Sequence, residues 1–151
     1  MSPKKSTRHI PTSIFSVIFF TISSALGTAT VNAEDKDSLI IELNAIQQID
    51  TGCRMIFTAQ NSLKQTIEQL SLETVLFDGK GSIAKLTLFN FQSIPNNKLR
   101  VRQFDLPETD CGDLSRILIN GIEACKGIDL DEKVCLDQLS VKSLTNVELL
   151  G

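Results

Sequence analysis

From position 39 onward, apolar and polar residues alternate with a period of two, the spacing of a strand whose side chains point alternately to two faces. "LIIEL" sets Leu39, Ile41 and Leu43 against Ile40 and Glu42, and "CRMIFTAQN" sets Cys53, Met55, Phe57 and Ala59 against Arg54, Ile56 and Thr58. "LSLETVLFD" and "SIAKLTLFNF" are two apolar runs joined by "DGKG", a glycine-rich hairpin turn. "KLRVRQF" alternates Leu99 and Val101 against Lys98, Arg100 and Arg102, and "LSRILINGI" and "LDQLSVKSL" complete a set of seven strand candidates. Pro95 and Pro107 fall between runs, where they interrupt no ladder. Two segments carry a second periodicity. Leu39, Leu43 and Ile46 also fit a helical stripe, and "NSLKQTIEQL" has Leu63, Ile67 and Leu70 at helical spacing; the latter reads as a loop or one helical turn entering the next strand. Seven short strands with turns at roughly 8–12-residue intervals predict an all-β fold, an immunoglobulin-like two-sheet β-sandwich.

The first 33 residues break this pattern. Lys4, Lys5 and Arg8 make a basic start, "SIFSVIFFTISSALG" is apolar and uncharged, and Val31 and Ala33 place small residues before Glu34. That is the arrangement of a secretory signal peptide, expected as a helix over residues 1–33 and removed on export. Its apolar run falls short of the roughly 20 residues that span a bilayer, so no stable membrane insertion is expected after cleavage. The leader has no cysteine for lipid attachment, and its Lys-Lys pair favours the general export route over the twin-arginine one. Residues 34–151 are then a single β-sandwich domain in a periplasmic or secreted location.

Export changes the composition. His9 is the only histidine, and it leaves with Phe15, Phe19 and Phe20; the remainder has no tryptophan or tyrosine. Three basic residues leave and all 18 acidic ones stay, taking the formal charge from −3 to −6. Nucleic acid is excluded as a partner, because phosphate contacts need clustered Lys and Arg.

Cys53, Cys111, Cys125 and Cys135 all follow the leader. An even number of cysteines in a small exported chain implies disulfides. Of the three connectivities, Cys125–Cys135 and Cys53–Cys111 are favoured: the first pair brackets a short acidic loop, and the second joins an early strand to a later turn. Zinc is disfavoured by the lack of CxxC-like spacing and of histidine, and the same spacing argues against a thiol oxidoreductase. Asp129 and Asp131 have the spacing that opens a calcium loop, but Val134 and Ser140 stand where its glycine and glutamate belong. A solvated acidic turn is expected there, with no metal and no cofactor.

Without histidine after the leader, Ser-His-Asp and Cys-His arrangements are excluded. A carboxylate pair remains as catalytic chemistry, with Asp78, Asp105, Asp110 and Asp113 as the candidates near strand ends and turns, although Asp78 and Asp105 read more readily as turn residues that hydrogen-bond nearby backbone. "DGKG" lacks the residues and the strand-to-helix setting of a phosphate-binding loop. One positive feature remains. Lys98, Arg100 and Arg102 are expected to emerge from one strand face, with Arg116 extending the patch if its strand joins the same sheet; the patch reads either as a solvated, charge-protected edge or as a contact for an acidic partner or anionic headgroup.

"IELNAIQQIDTGCR", "VLFDGKGSIAKL", "RILINGIEAC" and "VCLDQLSVKS" resemble a family of small exported proteins of alphaproteobacteria, usually described by their leader alone. The resemblance spans most of residues 34–151 and includes all four cysteines, although members often carry a twin-arginine leader where this chain has Lys-Lys. It implies the compartment and the fold and no activity. Together these readings lead to a non-catalytic binding module for a protein partner in the cell envelope, met through exposed sheet edges. A small-ligand or metal-ion binding protein is the alternative, and a carboxylate-based hydrolase stands behind it.

Overall fold

The computed structural model describes residues 38–151; the expected signal peptide lies outside the described residues. Eight strands form two four-stranded sheets: β1 (Leu39–Ile49), β2 (Gly52–Asn61), β3 (Ile67–Asp78), β4 (Ile83–Ile94), β5 (Lys98–Pro107), β6 (Leu114–Lys126), β7 (Leu139–Ser143) and β8 (Glu148–Leu150). One sheet has the order β5-β2-β1-β7 and the other β4-β3-β6-β8, and the two pack face to face as a β-sandwich. A short 3-10 turn (Cys111–Asp113) follows β5, and a six-residue helix, α1 (Glu132–Asp137), follows β6.

Period two along the chain becomes one buried face per sheet. Leu39, Ile41 and Leu43 from β1 and Met55, Phe57 and Ala59 from β2 are fully buried, as the alternation predicts. The opposite sheet contributes Leu72, Leu76 and Ile117 among others. Four phenylalanines gather where the sheets meet: Phe89 stacks on Phe104 at 4.4 Å between ring centres, and Phe57 lies within 6 Å of Phe89, Phe91 and Phe104. Burying each such ring stabilises the fold by roughly 2–3 kcal/mol, so this cluster dominates that side of the core.

The segment 39–49 is a strand despite its helical stripe, because Leu39 to Glu42 pair with β2 on one side and with β7 on the other. Residues 62–66 form a loop with no helical turn. Its anchor is Asn61, a fully buried side chain whose Nδ2 donates to the carbonyls of Gln65 and Ile94 and whose Oδ1 accepts from the Leu63 N–H. The "DGKG" turn closes the β3–β4 hairpin as expected: Asp78 Oδ1 accepts from the N–H groups of Lys80 and Ser82, and Gly81 takes φ of +82°. β8 and α1 have no counterpart in the sequence reading. Three residues are too few to show an alternation, and α1 is held mainly by its surroundings. Its N-cap Asp131 accepts from the Val134 N–H, and Cys135 is bridged.

β5 runs with the opposite polarity to that expected. Leu99 and Val101 are 57% and 58% exposed, and Arg100 and Arg102 occupy the face turned toward the other sheet. The reason is register. Phe104 joins the phenyl cluster and Leu106 is buried, and a strand of period two must then send Arg102 and Arg100 to that same face. Two large apolar anchors outweigh Leu99 and Val101, and an edge strand lets a long arginine reach past the rim. Arg116 also departs from expectation. It sits on β6, in the other sheet, with its guanidinium 4.9 Å from the ring centre of Phe77. Lys98, Arg100, Arg102 and Arg116 therefore do not make one stripe.

Candidate functional site

The four cysteines form two disulfides, Cys53–Cys111 and Cys125–Cys135, and none is free. This is the pairing that spacing favoured. The first ties the start of β2 to the 3-10 turn beyond β5, where Gln48 reinforces it by accepting from the Cys111 N–H. The second ties the end of β6 to α1. All four are buried, so no thiolate is available as a nucleophile or metal ligand. Disulfides of this kind belong to an oxidising environment. Among the described residues no helix is long and apolar enough to cross a membrane.

Three of the candidate carboxylates meet at one end of the sandwich. A cleft of about 600 Å³ lies between the β3–β4 hairpin and the segment after β5, lined by Asp78, Lys80, Lys85, Glu108, Asp110 and Asp113 among others. Two of these acids serve the backbone. Asp78 holds the hairpin turn, and Asp110 caps the 3-10 turn by accepting from the Gly112 N–H at 2.8 Å. Asp105 is elsewhere, in a two-pronged ion pair with Arg54 at 2.7 and 2.8 Å on the outer face of β2 and β5. That guanidinium holds the Asp105 carboxyl below its ordinary value, the reverse of what a general acid requires. The acidic loop is likewise structural, with Asp131 capping α1 and Lys133 paired to Asp137. Among the described residues no cluster of metal-ligating side chains occurs.

One basic residue of β5, Arg102, closes a seam. β4 and β5 are the edge strands on the same side of the sandwich. Arg102 donates from Nε to the Phe91 carbonyl at 2.7 Å and from Nη2 to the Ser93 carbonyl at 3.1 Å, occupying acceptors that an open edge would leave to a foreign strand. Lys85 crosses the other way, from β4 to the carbonyl of Pro107 at 3.2 Å. Inward-pointing charges on edge strands are a known guard against edge-to-edge aggregation. Arg102 is a lace between the two edge strands.

The outer faces of the two sheets contrast. On β5-β2-β1-β7, Thr58 and the Glu42–Lys142 ion pair (2.8 Å) lie side by side, with the Arg54–Asp105 pair two rungs away. Leu99 and Val101 are exposed on the same face, at its β5 edge. On β4-β3-β6-β8, the register aligns Leu86, Val75, Leu118 and Leu150 as one row that crosses all four strands. Leu86 is 71% exposed, Leu88 in the next outward position is 54% exposed, and Ile83 is exposed beside Phe77. A concavity of about 310 Å³ between Glu73, Val75, Leu86, Leu88 and Asn120 indents this face. Reading for chemistry-bearing side chains missed it. The signal was there in the pairing of outward leucines along β4, visible only once the strand's inward set (Phe89, Phe91) is known.

In comparison with known proteins, the chain matches no family model, no curated protein and no solved structure.

Proposed function

We propose that this chain is an exported, disulfide-stapled sandwich of immunoglobulin-like type that works without catalysis, in the periplasm or outside the cell, by holding a protein partner of the envelope. The observation that carries this reading is the unlike pair of outer faces. Both carry exposed apolar side chains, but on one Leu99 and Val101 sit on the edge strand beside ion pairs and amides, whereas on the other Leu86, Leu118 and Leu150 line up in register with the buried Val75 across all four strands, with Leu88 and Ile83 beside them. An apolar sheet face left to water costs roughly 25 cal/mol per Å², and contiguous patches of this kind mark docking sites. The long strand edges are weaker candidates, since Arg102 and Lys85 occupy the β4–β5 side. The resemblance to small exported alphaproteobacterial proteins supports the compartment in this proposal.

A photo-reactive residue placed at position 86 or 88, and separately at 99 or 101, tests it in living cells. Discrete cross-linked protein species are expected from 86 and 88 and not from 99 and 101. Equal labelling from all four positions, or none from 86 and 88, would overturn the assignment.

A further inference from the structure

We propose that the partner on this face is a second copy of the same chain, packed sheet to sheet about a two-fold axis that runs along the row Leu86–Val75–Leu118–Leu150. This rests on reading the β4-β3-β6-β8 face as a docking surface, and it adds the identity of the occupant. Charge placement is the argument. Glu73 lies two residues from Val75 on one flank of the row; Arg116 lies two residues from Leu118 on the opposite flank, in register with Phe77. Among the described residues neither is in an ion pair: Glu73 accepts only a long 3.4 Å bond from Asn120, and Arg116 rests on the Phe77 ring.

Rotation about the row lays leucine on leucine and exchanges the flanks. Glu73 of one copy then stands level with Arg116 of the other, one strand away, at a lateral spacing of about 4.8 Å. The symmetry produces this ion pair twice, once on each side of the apolar row, as an isologous contact requires. Like charges do not meet. Glu148 is the register partner of Arg116 on β8, so within one copy Arg116 already has an acid one strand away; Glu148 is two strands from β3, and Glu73 of the other copy approaches Arg116 from the opposite side. Gly121, beside Glu73 on β6, leaves the carboxylate room to turn, since a Cβ there would sit 3.1 Å from its Oε2.

The matched patch covers four strands and five to seven rungs, about 20 by 19 Å, or roughly 400 Å² in projection per copy. That is below the ~800 Å² per partner of a standard stable interface, so the pair is reversible and depends on concentration, with dissociation in the micromolar range. Salt weakens it, because the flanking pairs are at the rim.

Sedimentation equilibrium of the oxidised chain from roughly 1 to 300 µM tests this directly. The parent is expected to move from one-chain to two-chain mass across that range. L86E/L88E is expected to stay at one-chain mass, a loss of at least about 100-fold in association if each leucine contributes tenfold. Because both side chains are largely exposed, its circular dichroism and melting should match the parent. Charge reversal gives the sharper reading: E73R and R116E should each weaken pairing, an equimolar mixture of the two should restore a hetero-pair, and the double reversal E73R/R116E should restore the homodimer. A parent that stays at one-chain mass throughout, or a double reversal no better than the singles while still folded, overturns the second-copy inference. If the parent stays at one-chain mass and positions 86 and 88 still cross-link a different protein in cells, the docking surface stands and its occupant is wrong; if neither occurs, both readings fall.

Discussion

Replacing Arg102 with methionine keeps most of the side chain's length and removes the two hydrogen bonds that join β5 to β4. In the folded protein those bonds run to the carbonyls of Phe91 and Ser93 at 2.7 and 3.1 Å. Hydrogen bonds from a charged donor contribute about 1.5–3 kcal/mol each. Two terms reduce that sum: edge carbonyls can be rehydrated once the guanidinium leaves, and a freed side chain regains up to about 2 kcal/mol of rotamer entropy. The expected net loss is about 2 kcal/mol, a sizeable part of the roughly 5–15 kcal/mol typical of a domain. Urea unfolding followed by far-ultraviolet circular dichroism measures it, since no tryptophan or tyrosine is present for fluorescence. R102K supplies a charge but no fork and is expected to lose about half as much. R100M changes a neighbour on the same face that has no hydrogen-bonding partner, and should stay within about 0.5 kcal/mol of the parent. Light scattering at the transition should rise for R102M, because the β4 edge is then open to other strands. If R102M unfolds at the parental urea concentration, or if R100M costs as much, the lacing role is wrong and the charges matter only in aggregate.

Removing the disulfides one at a time gives a ranked outcome: C53A/C111A, closing a sequence separation of 58, should lose about 4 kcal/mol and C125A/C135A, with a separation of 10, about 3 kcal/mol in equilibrium unfolding; the opposite order would refute the chain-entropy account. N61A leaves the buried carbonyl of Ile94 and the N–H of Leu63 unpaired and should cost about 3 kcal/mol, with hydrogen exchange rising first in residues 62–66. Stability should also fall in acid. Lys142 and Asn44 hold the Glu42 carboxyl below its ordinary 4.5, and Arg54 holds Asp105 below 3.8. The unfolded chain therefore binds more protons than the folded one at those pH values, so the stabilisation is complete above about pH 4.5 and disappears as pH falls through the folded values. E42Q and D105N should each flatten the fall in melting temperature between neutral and acid pH, and a parental slope in both would contradict the assignment.

Much of this fold is legible in the chain because period-two alternation is a local signal. β2 can be read residue by residue, and the glycines of "DGKG" announce their hairpin; β1 carries a competing helical stripe, and the first residues of β3, Ile67 to Leu70, lie in a segment that reads as a loop or helical turn. β5 shows where such a signal ends. Alternation divides its residues into two sets correctly, but which set faces inward depends on Phe57, Phe89 and Phe91, brought from other strands. Hydropathy alone placed Leu99 and Val101 inside, and the phenyl cluster placed them outside. The carboxylates are legible in part for a related reason: Asp78 is the turn residue that its place in "DGKG" suggests, whereas Asp105, read the same way, lies within β5 and pairs with Arg54 across the ladder. Of the apolar row only the outward leucines of β4 leave a trace in the sequence, since its four members come from four strands and meet only through register.

Leu39 opens the first described strand, yet its register partner across the ladder is Leu139, on the strand between α1 and β8. β8 closes the other sheet in the same way, joining β6 in parallel. Neither sheet can therefore be finished until nearly the whole polypeptide is present, and closing such distant contacts is slow. Were the chain exported as we propose, that delay would keep the sandwich pliable until β7 and β8 had crossed.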